Sequence, residues 1–344
     1  MTLLPLVLIV ARTPPAGYAT GAWPWVGLGL LLLASGVATW FGLVLWTSRL
    51  IHHPPRLTPP RAMGRLGRSS PLDLDLDFEE FPYEVKGRPG PGGGGAFRGV
   101  SWWIPCGKRR RPRGTCVLAH GYGDSRSGAL PWARLWHDAG FHVLLPDLRA
   151  HGESGPSKAG SSGGTGGGIW ERDDLHELLD ELKRQKPAET ATLVLAGASF
   201  GALVAAATAS GRDDLAAVVL DSPVFGWRDA TRRWSELFSL PPPGGHRLRI
   251  GLASWLRQVD FDEANLDRTL PKLAVPLLLV LPRDDSLLPQ ALGEQLVELA
   301  ASKPEASVWR PETTHNASVV THREDYLARL ETLFNDSQTL SSGG

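Results

Sequence analysis

The chain has 344 residues, with 36 basic and 36 acidic side chains and 42% hydrophobic residues. Balanced charge argues against a nucleic-acid partner, and two cysteines are too few for a disulfide framework. No Cys/His spacing suggests zinc and no Gly-x-x-x-x-Gly-Lys-Ser/Thr loop is present, so no metal or other cofactor is expected.

Residues 1–22 read as a short N-terminal tail. No charge occurs from Thr13 to Ser48, and Pro24–Thr47 is dense in Leu, Val, Ala, Gly and Trp. As a helix, that stretch would rise about 36 Å, enough to cross a hydrocarbon core of about 30 Å. Trp23, Trp25 and Trp46 stand where interfacial anchors belong, so a transmembrane helix is expected over 23–48. A cleaved signal peptide fits less well, because the apolar run is too long and starts too late. Arg49, Arg56, Arg61, Arg65 and Arg68 follow the span, which places the larger part of the chain on the cytoplasmic side of the membrane. Ala34, Ala38 and Gly42 recur every fourth residue, a spacing that permits close helix approach but occurs often in such helices anyway.

Residues 49–76, rich in Pro and Arg without an apolar period, predict an extended linker. A folded domain then spans 77–335. Phe81–Lys86 and Phe97–Ile104 read as a first strand pair around the glycine-rich loop Gly87–Gly95. The basic run Lys108–Arg113 reads as a solvated hairpin turn, with Cys106 and Cys116 facing each other across it and reduced in the cytoplasm.

Strand-like runs follow at Thr115–Ala119, His142–Leu145, Thr192–Ala196, Ala216–Leu220, Pro276–Leu281 and Ala306–Trp309. Helical patterns separate most of them. Such alternation means an α/β fold, a mainly parallel sheet covered on both faces. A second glycine-rich stretch, Gly155–Gly168, reads as a connector into the helix Trp170–Arg184.

The chemistry concentrates at four points. After Thr115–Ala119 comes His120-Gly121-Tyr122-Gly123, a loop whose glycines let backbone amides turn towards a substrate. The Tyr122 N–H is a candidate oxyanion donor; its ring either walls an acyl site or simply packs. Next, Gly197-Ala198-Ser199-Phe200-Gly201 lies between an apolar strand and a small-residue helix, the setting of a nucleophile elbow. Ser199 is the candidate nucleophile and the Phe200 N–H the other oxyanion donor. Gly197 and Gly201 are small because strand and helix backbones pass close there. Third, the buried run Val275–Leu281 ends at Asp284 and Asp285. Asp285 is the preferred acid, leaving Asp284 to cap the turn or pair with Arg283; Asp221 is a third candidate that reads better as a turn residue. Fourth, His315 in the polar loop Pro311–Ala317 is the preferred base. His322 reads as a surface residue before the helix Arg323–Phe334, and His246 as a solvated loop residue. Residues 336–344 are expected to be a disordered tail.

These pieces, with Asp147-Leu148-Arg149-Ala150-His151-Gly152-Glu153-Ser154, resemble the α/β-hydrolase superfamily, in its lipase-like and serine-aminopeptidase-like branch. The resemblance covers about residues 80–335. It implies an α/β-hydrolase fold with a Ser199–Asp285–His315 triad, and structural roles for Asp147 and His151. Ala150 stands where related sequences usually carry glycine. The aromatic-bearing segment 222–271 resembles a small helical lid, whose aromatics either line an acyl pocket or pack the lid down.

The implied activity is a membrane-anchored serine hydrolase acting on an ester, amide or thioester, with a small-molecule or lipid-like acyl substrate. A peptidase of the serine-aminopeptidase type and an acyltransferase share the same triad. A non-catalytic scaffold would be marked by loss of a triad member, and none is lost here.

Overall fold

The computed structural model describes residues 23–87, 94–107, 111–156, 164–241 and 245–341. The N-terminal tail, most of the first glycine-rich loop, residues 108–110 of the basic turn and residues 157–163 of the second glycine-rich loop lie outside them.

The helices are α1 (Trp23–His52), α2 (Pro59–Leu66), α3 (Leu130–Asp138), α4 (Ile169–Gln185), α5 (Phe200–Ala209), α6 (Trp227–Leu237), α7 (His246–Arg257), α8 (Leu266–Thr269), α9 (Gln290–Ala301), α10 (Ser318–Thr321) and α11 (Arg323–Ser341). The strands are β1 (Glu79–Glu80), β2 (Tyr83–Val85), β3 (Phe97–Gly99), β4 (Ser101–Ile104), β5 (Thr115–Ala119), β6 (His142–Pro146), β7 (Gly155–Pro156), β8 (Leu193–Ala198), β9 (Ala217–Asp221), β10 (Leu277–Val280) and β11 (Ala306–Trp309).

An eight-stranded sheet runs in the order β1-β4-β6-β5-β8-β9-β10-β11. From β6 to β11 every pairing is parallel, while β4 and β1 are antiparallel additions at one edge. β5, β8, β9 and β10 are fully buried and apolar but for Thr115 at the start of β5 and Asp221 at the end of β9, as strands covered on both faces should be. Two apolar clusters flank the sheet. One gathers α4, α5, the lid and α9 around Phe200, Trp227 and Phe261; the other gathers α3 and α11 around Trp136, Phe141 and Phe334.

The structure corrects five expectations. The predicted first strand pair is two separate pairings: β2 with β3 in a three-stranded sheet completed by β7, and β1 with β4 at the main sheet's edge. No hairpin joins β4 to β5, because β6 lies between them; both cysteines are buried and no disulfide links them. His246 opens α7 and is half-buried. The tail beyond residue 335 continues α11 to Ser341.

The largest correction concerns 49–76. The apolar helix does not stop at residue 48 but runs to His52, because Thr47, Ser48 and His52 are buried against protein. Pro59 and Pro60 then open α2, where their missing N–H groups cost nothing, and Gly67 closes it in the left-handed conformation. A one-turn helix over Pro71–Leu74 follows, its start held by Asp73 accepting the Ser69 and Ser70 N–H groups. What reads as a linker is therefore a packed arm of the domain. Residues 23–42, by contrast, are all exposed, with a mean hydropathy of 2.1 in the most apolar stretch of α1.

Candidate active site

Ser199 sits between β8 and α5 with φ 56° and ψ −119°, a strained conformation for a residue with a side chain. Two close approaches impose it. A Cβ on Gly197 would lie 2.2 Å from the Gly201 carbonyl oxygen, and one on Gly201 would lie 2.1 Å from the Ala119 oxygen. Both positions admit only glycine, as the motif predicts.

The predicted partners converge on this serine. His315 Nε2 lies 2.9 Å from Ser199 Oγ, and His315 Nδ1 lies 2.7 Å from Asp285 Oδ2. A carboxylate only accepts, so the proton on the ring belongs to Nδ1 and the Nε2 lone pair faces the hydroxyl. The other Asp285 oxygen accepts the Leu287 N–H at 2.8 Å and the Leu288 N–H at 3.2 Å. The Asp285 carboxylate is thus fixed in place, with only 2% of its side chain exposed. Arg283 pairs with Glu312 at 2.7 Å and not with Asp284; the Asp284 N–H donates to Thr313, tying the acid's turn to the histidine's loop.

Over the serine passes the loop 120–123. A Cβ on Gly121 would meet Ser199 Cβ at 3.3 Å. Neither the Tyr122 nor the Phe200 N–H donates to a backbone carbonyl among the described residues. His120 holds this loop: its Nδ1 meets the Gly121 oxygen at 2.8 Å and its Nε2 accepts the Leu148 N–H at 3.0 Å. Behind it, Asp147 accepts the Arg126 and Glu153 N–H groups, and Arg126 lies over the Trp102 ring while pairing with Glu80 and Glu153. Burial drives the His151 pKa well below the ordinary imidazole value, so this ring is neutral packing. Ala150 adopts φ 63°, which explains why glycine suits that position.

Asp221 does more than close a turn. It ends β9 fully buried, accepting from Trp132 Nε1 at 2.8 Å and from Ser222 Oγ at 2.8 Å. Burial pushes its carboxyl pKa up, against the pull of those two donors. Ser222 Oγ in turn accepts the Asn316 N–H at 3.0 Å, next to His315. Nothing in the isolated Asp-Ser-Pro triplet signalled this relay.

The cavity beside Ser199 and His315 has a volume of about 540 Å³. Its apolar lining comes from Leu50, Ile51 and Leu57 of the N-terminal arm and from Trp234, Phe238 and Leu240 of the lid. The lid aromatics therefore divide. Trp227 and Phe261 are fully buried and pack the lid down, Trp234 and Phe238 line the cavity, and Trp255 faces outward. The Tyr122 ring does both jobs, its centroid 4.6 Å from that of Trp234 at a 30° tilt while its O–H donates to the Ile51 carbonyl at 2.8 Å. Burial raises the Tyr122 phenol pKa, keeping that O–H a donor. Among the described residues no cluster of His, Cys, Asp and Glu is arranged to hold a metal ion.

Comparisons with known proteins agree with the fold. Residues 110–242 match the family described as serine aminopeptidase, S33. The chain is 26% identical to the uncharacterized Bacillus subtilis protein YqkD over 228 residues, 62% of this chain and 68% of that one. Among solved structures it resembles the Pyrococcus furiosus esterase Pf2001, with a TM-score of 0.61 and 23% identity over 82% of this chain and 98% of that one. An alpha-beta hydrolase from Vibrio vulnificus gives a TM-score of 0.57 and 17% identity, covering 84% and 92%. A parallel sheet in this strand order, bearing a strained serine between its central strand and the helix behind it, is the α/β-hydrolase fold, shared with these structures.

Proposed function

We propose that this α/β hydrolase is a membrane-anchored serine hydrolase that cleaves esters through Ser199, His315 and Asp285. The observation that carries the reading is the unbroken hydrogen-bond chain from Ser199 Oγ through His315 to Asp285. His315 Nε2 takes the hydroxyl proton as Oγ attacks the substrate carbonyl. The Nδ1–H stays with Asp285, which stabilises the imidazolium as it forms. The Tyr122 and Phe200 N–H groups receive the oxyanion. The imidazolium then protonates the departing alkoxide, leaving an acyl-serine. Water, deprotonated by the same nitrogen, attacks the acyl carbon; Oγ recovers the proton and the acid departs.

An ester is favoured because the cavity wall is largely apolar around the serine and the similar Pyrococcus furiosus protein is named an esterase. A lipid-like or small acyl ester fits better than a large protein, given a helix of thirty residues apolar enough to cross a membrane directly before the domain. The arginines that follow the span favour a cytoplasmic hydrolase domain. The S33 match favours one second reading, release of N-terminal residues from peptides by the same machinery.

The test is fluorophosphonate labelling of the purified full chain and of Ser199→Ala, followed by ester and aminoacyl-arylamide panels. Labelling confined to Ser199, with ester turnover lost in the variant, is the expected result. Full turnover by Ser199→Ala would refute the assignment, and preference for aminoacyl amides would select the peptidase.

A further inference from the structure

We infer that the arm leaving the membrane helix, Leu50 to Leu57, is a specificity-determining wall of the acyl site, so that the anchor is part of the site it tethers. The inference rests on the reading of Ser199 as the nucleophile and adds where the acyl chain lies and from which side it arrives.

Four observations carry it. Leu50, Ile51, Pro55 and Leu57 line the same cavity as Ser199 and His315. The arm is built into the domain and does not merely rest on it: Ile51 and Leu57 are buried, Tyr122 O–H donates to the Ile51 carbonyl at 2.8 Å, and the Thr165 N–H donates to the His52 carbonyl at 2.9 Å. The His52 ring stacks on Phe261 of the lid at 5.3 Å. A Cβ on Gly123 would touch Pro55 Cγ at 3.4 Å, which puts the arm directly over the loop that carries the Tyr122 N–H.

The last two turns of α1 also grip the lid. Arg249 of α7 donates to Thr47 Oγ1 at 3.3 Å, and Ser48 Oγ donates to the Arg249 carbonyl at 3.4 Å. The outer side of α7 presents Trp255 and Leu256, both more than half exposed, beside the exit of the apolar helix. Trp46 marks the interfacial end of the span. Leu50 follows it by one helical turn, so the wall of the cavity stands roughly 6 Å along the helix from the headgroup level. An acyl chain in the cavity therefore lies against Leu50, Ile51 and Leu57, and a substrate already dissolved in the bilayer reaches Ser199 along the arm.

The test uses the full chain in phosphatidylcholine vesicles and a fluorophosphonate bearing a dodecyl chain with a terminal diazirine. The phosphonate fixes the head on Ser199, light links the tail to its neighbours, and tryptic peptides identify them. The expected cross-links fall on Leu50–Arg56 and Leu57–Arg61. A Ser199 adduct whose tail links only to the lid or to lipid overturns the proposal alone. Absence of any Ser199 adduct overturns the nucleophile reading and this proposal with it. In parallel, Leu57→Trp fills the wall, displacing two or three methylenes of a long chain. It should lower kcat/KM for an octanoate ester at least ~10-fold relative to acetate. An unchanged ratio in a variant that labels and melts like the parent chain would also overturn the proposal.

Discussion

Asp285→Asn probes the site most sharply, because the structure dictates which way the new amide must face. Asp285 Oδ1 accepts two backbone N–H groups, from Leu287 and Leu288, while Oδ2 faces His315 Nδ1. In the variant the amide oxygen keeps the two N–H donors, since the reverse orientation would set an NH2 group against both and leave them unpaired at about 1–3 kcal/mol each. The NH2 group then points at His315 Nδ1, which must become an acceptor. The ring proton moves to Nε2 and confronts the Ser199 hydroxyl, 2.9 Å away, donor against donor. The base is present but in the wrong tautomer. An exchange of this kind in a serine protease costs about 10⁴ in kcat, equivalent to about 5.4 kcal/mol of transition-state stabilisation. We expect a loss of that order in ester turnover and in the rate of phosphonylation of Ser199, with an unchanged melting temperature. Asp221→Asn is the control. Its carboxylate bonds Trp132 and Ser222, so its replacement should cost about 1–2 kcal/mol of stability and less than about tenfold in kcat. A mild Asp285→Asn beside a crippling, fully folded Asp221→Asn would show that the acid is wrongly assigned.

Three further outcomes follow from the same geometry. Gly201→Ala drives a Cβ to 2.1 Å from the Ala119 oxygen, a backbone clash that nothing can relieve by rotation. It should cost more than about 4 kcal/mol, seen as loss of folded protein, and a well-folded, fully labelled variant would contradict the elbow described above. Ser222→Ala removes the acceptor of the Asn316 N–H and loosens the His315 loop, so kcat should fall about tenfold with KM nearly constant; equal kcat would remove Ser222 from the positioning of His315. The Asp214 pKa is held below the usual carboxylate range by hydrogen bonds from Arg212 and Lys183. Its contribution is present above the unfolded value near 3.8 and is lost as pH falls through the lower folded value. Thermal melts of Asp214→Asn against the parent chain should therefore differ at neutral pH and converge below about pH 4, and a gap that widened in acid would reverse the sign.

The elbow and its partners were legible because chemistry and sterics leave few residue types free there. Gly197, Ser199 and Gly201 have no substitutes at those distances, and an acid and a histidine must follow on later loops. The buried parallel strands were legible for a similar reason, since strands covered on both faces read as unbroken apolar runs. Other features depend on contacts distant in sequence. The Leu50–Arg68 arm carries no apolar period; its few buried side chains, such as Ile51 and Leu57, find partners in the lid and in the loop after β5. The division of the first strands between two sheets follows from β4 pairing with β6, about forty residues on, which no local pattern encodes. Asp221 looked like a turn residue because its donors, Trp132 and Ser222, arrive from two different elements.

α5 has one more consequence. All ten of its residues, Phe200 to Ala209, are buried, because sheet, α4 and α8 enclose it on every side. Six of them are glycine or alanine, and that small size sets the thickness of the layer between sheet and outer helix. Its tolerance to substitution should therefore show no helical period, with each position as restrictive as the next. The Ser199 hydroxyl stands at the start of this helix, so its height above the sheet is set by the width of alanine side chains. Variation that tunes such an enzyme is accordingly confined to the arm, the lid and the loops, while the helix behind the nucleophile stays silent.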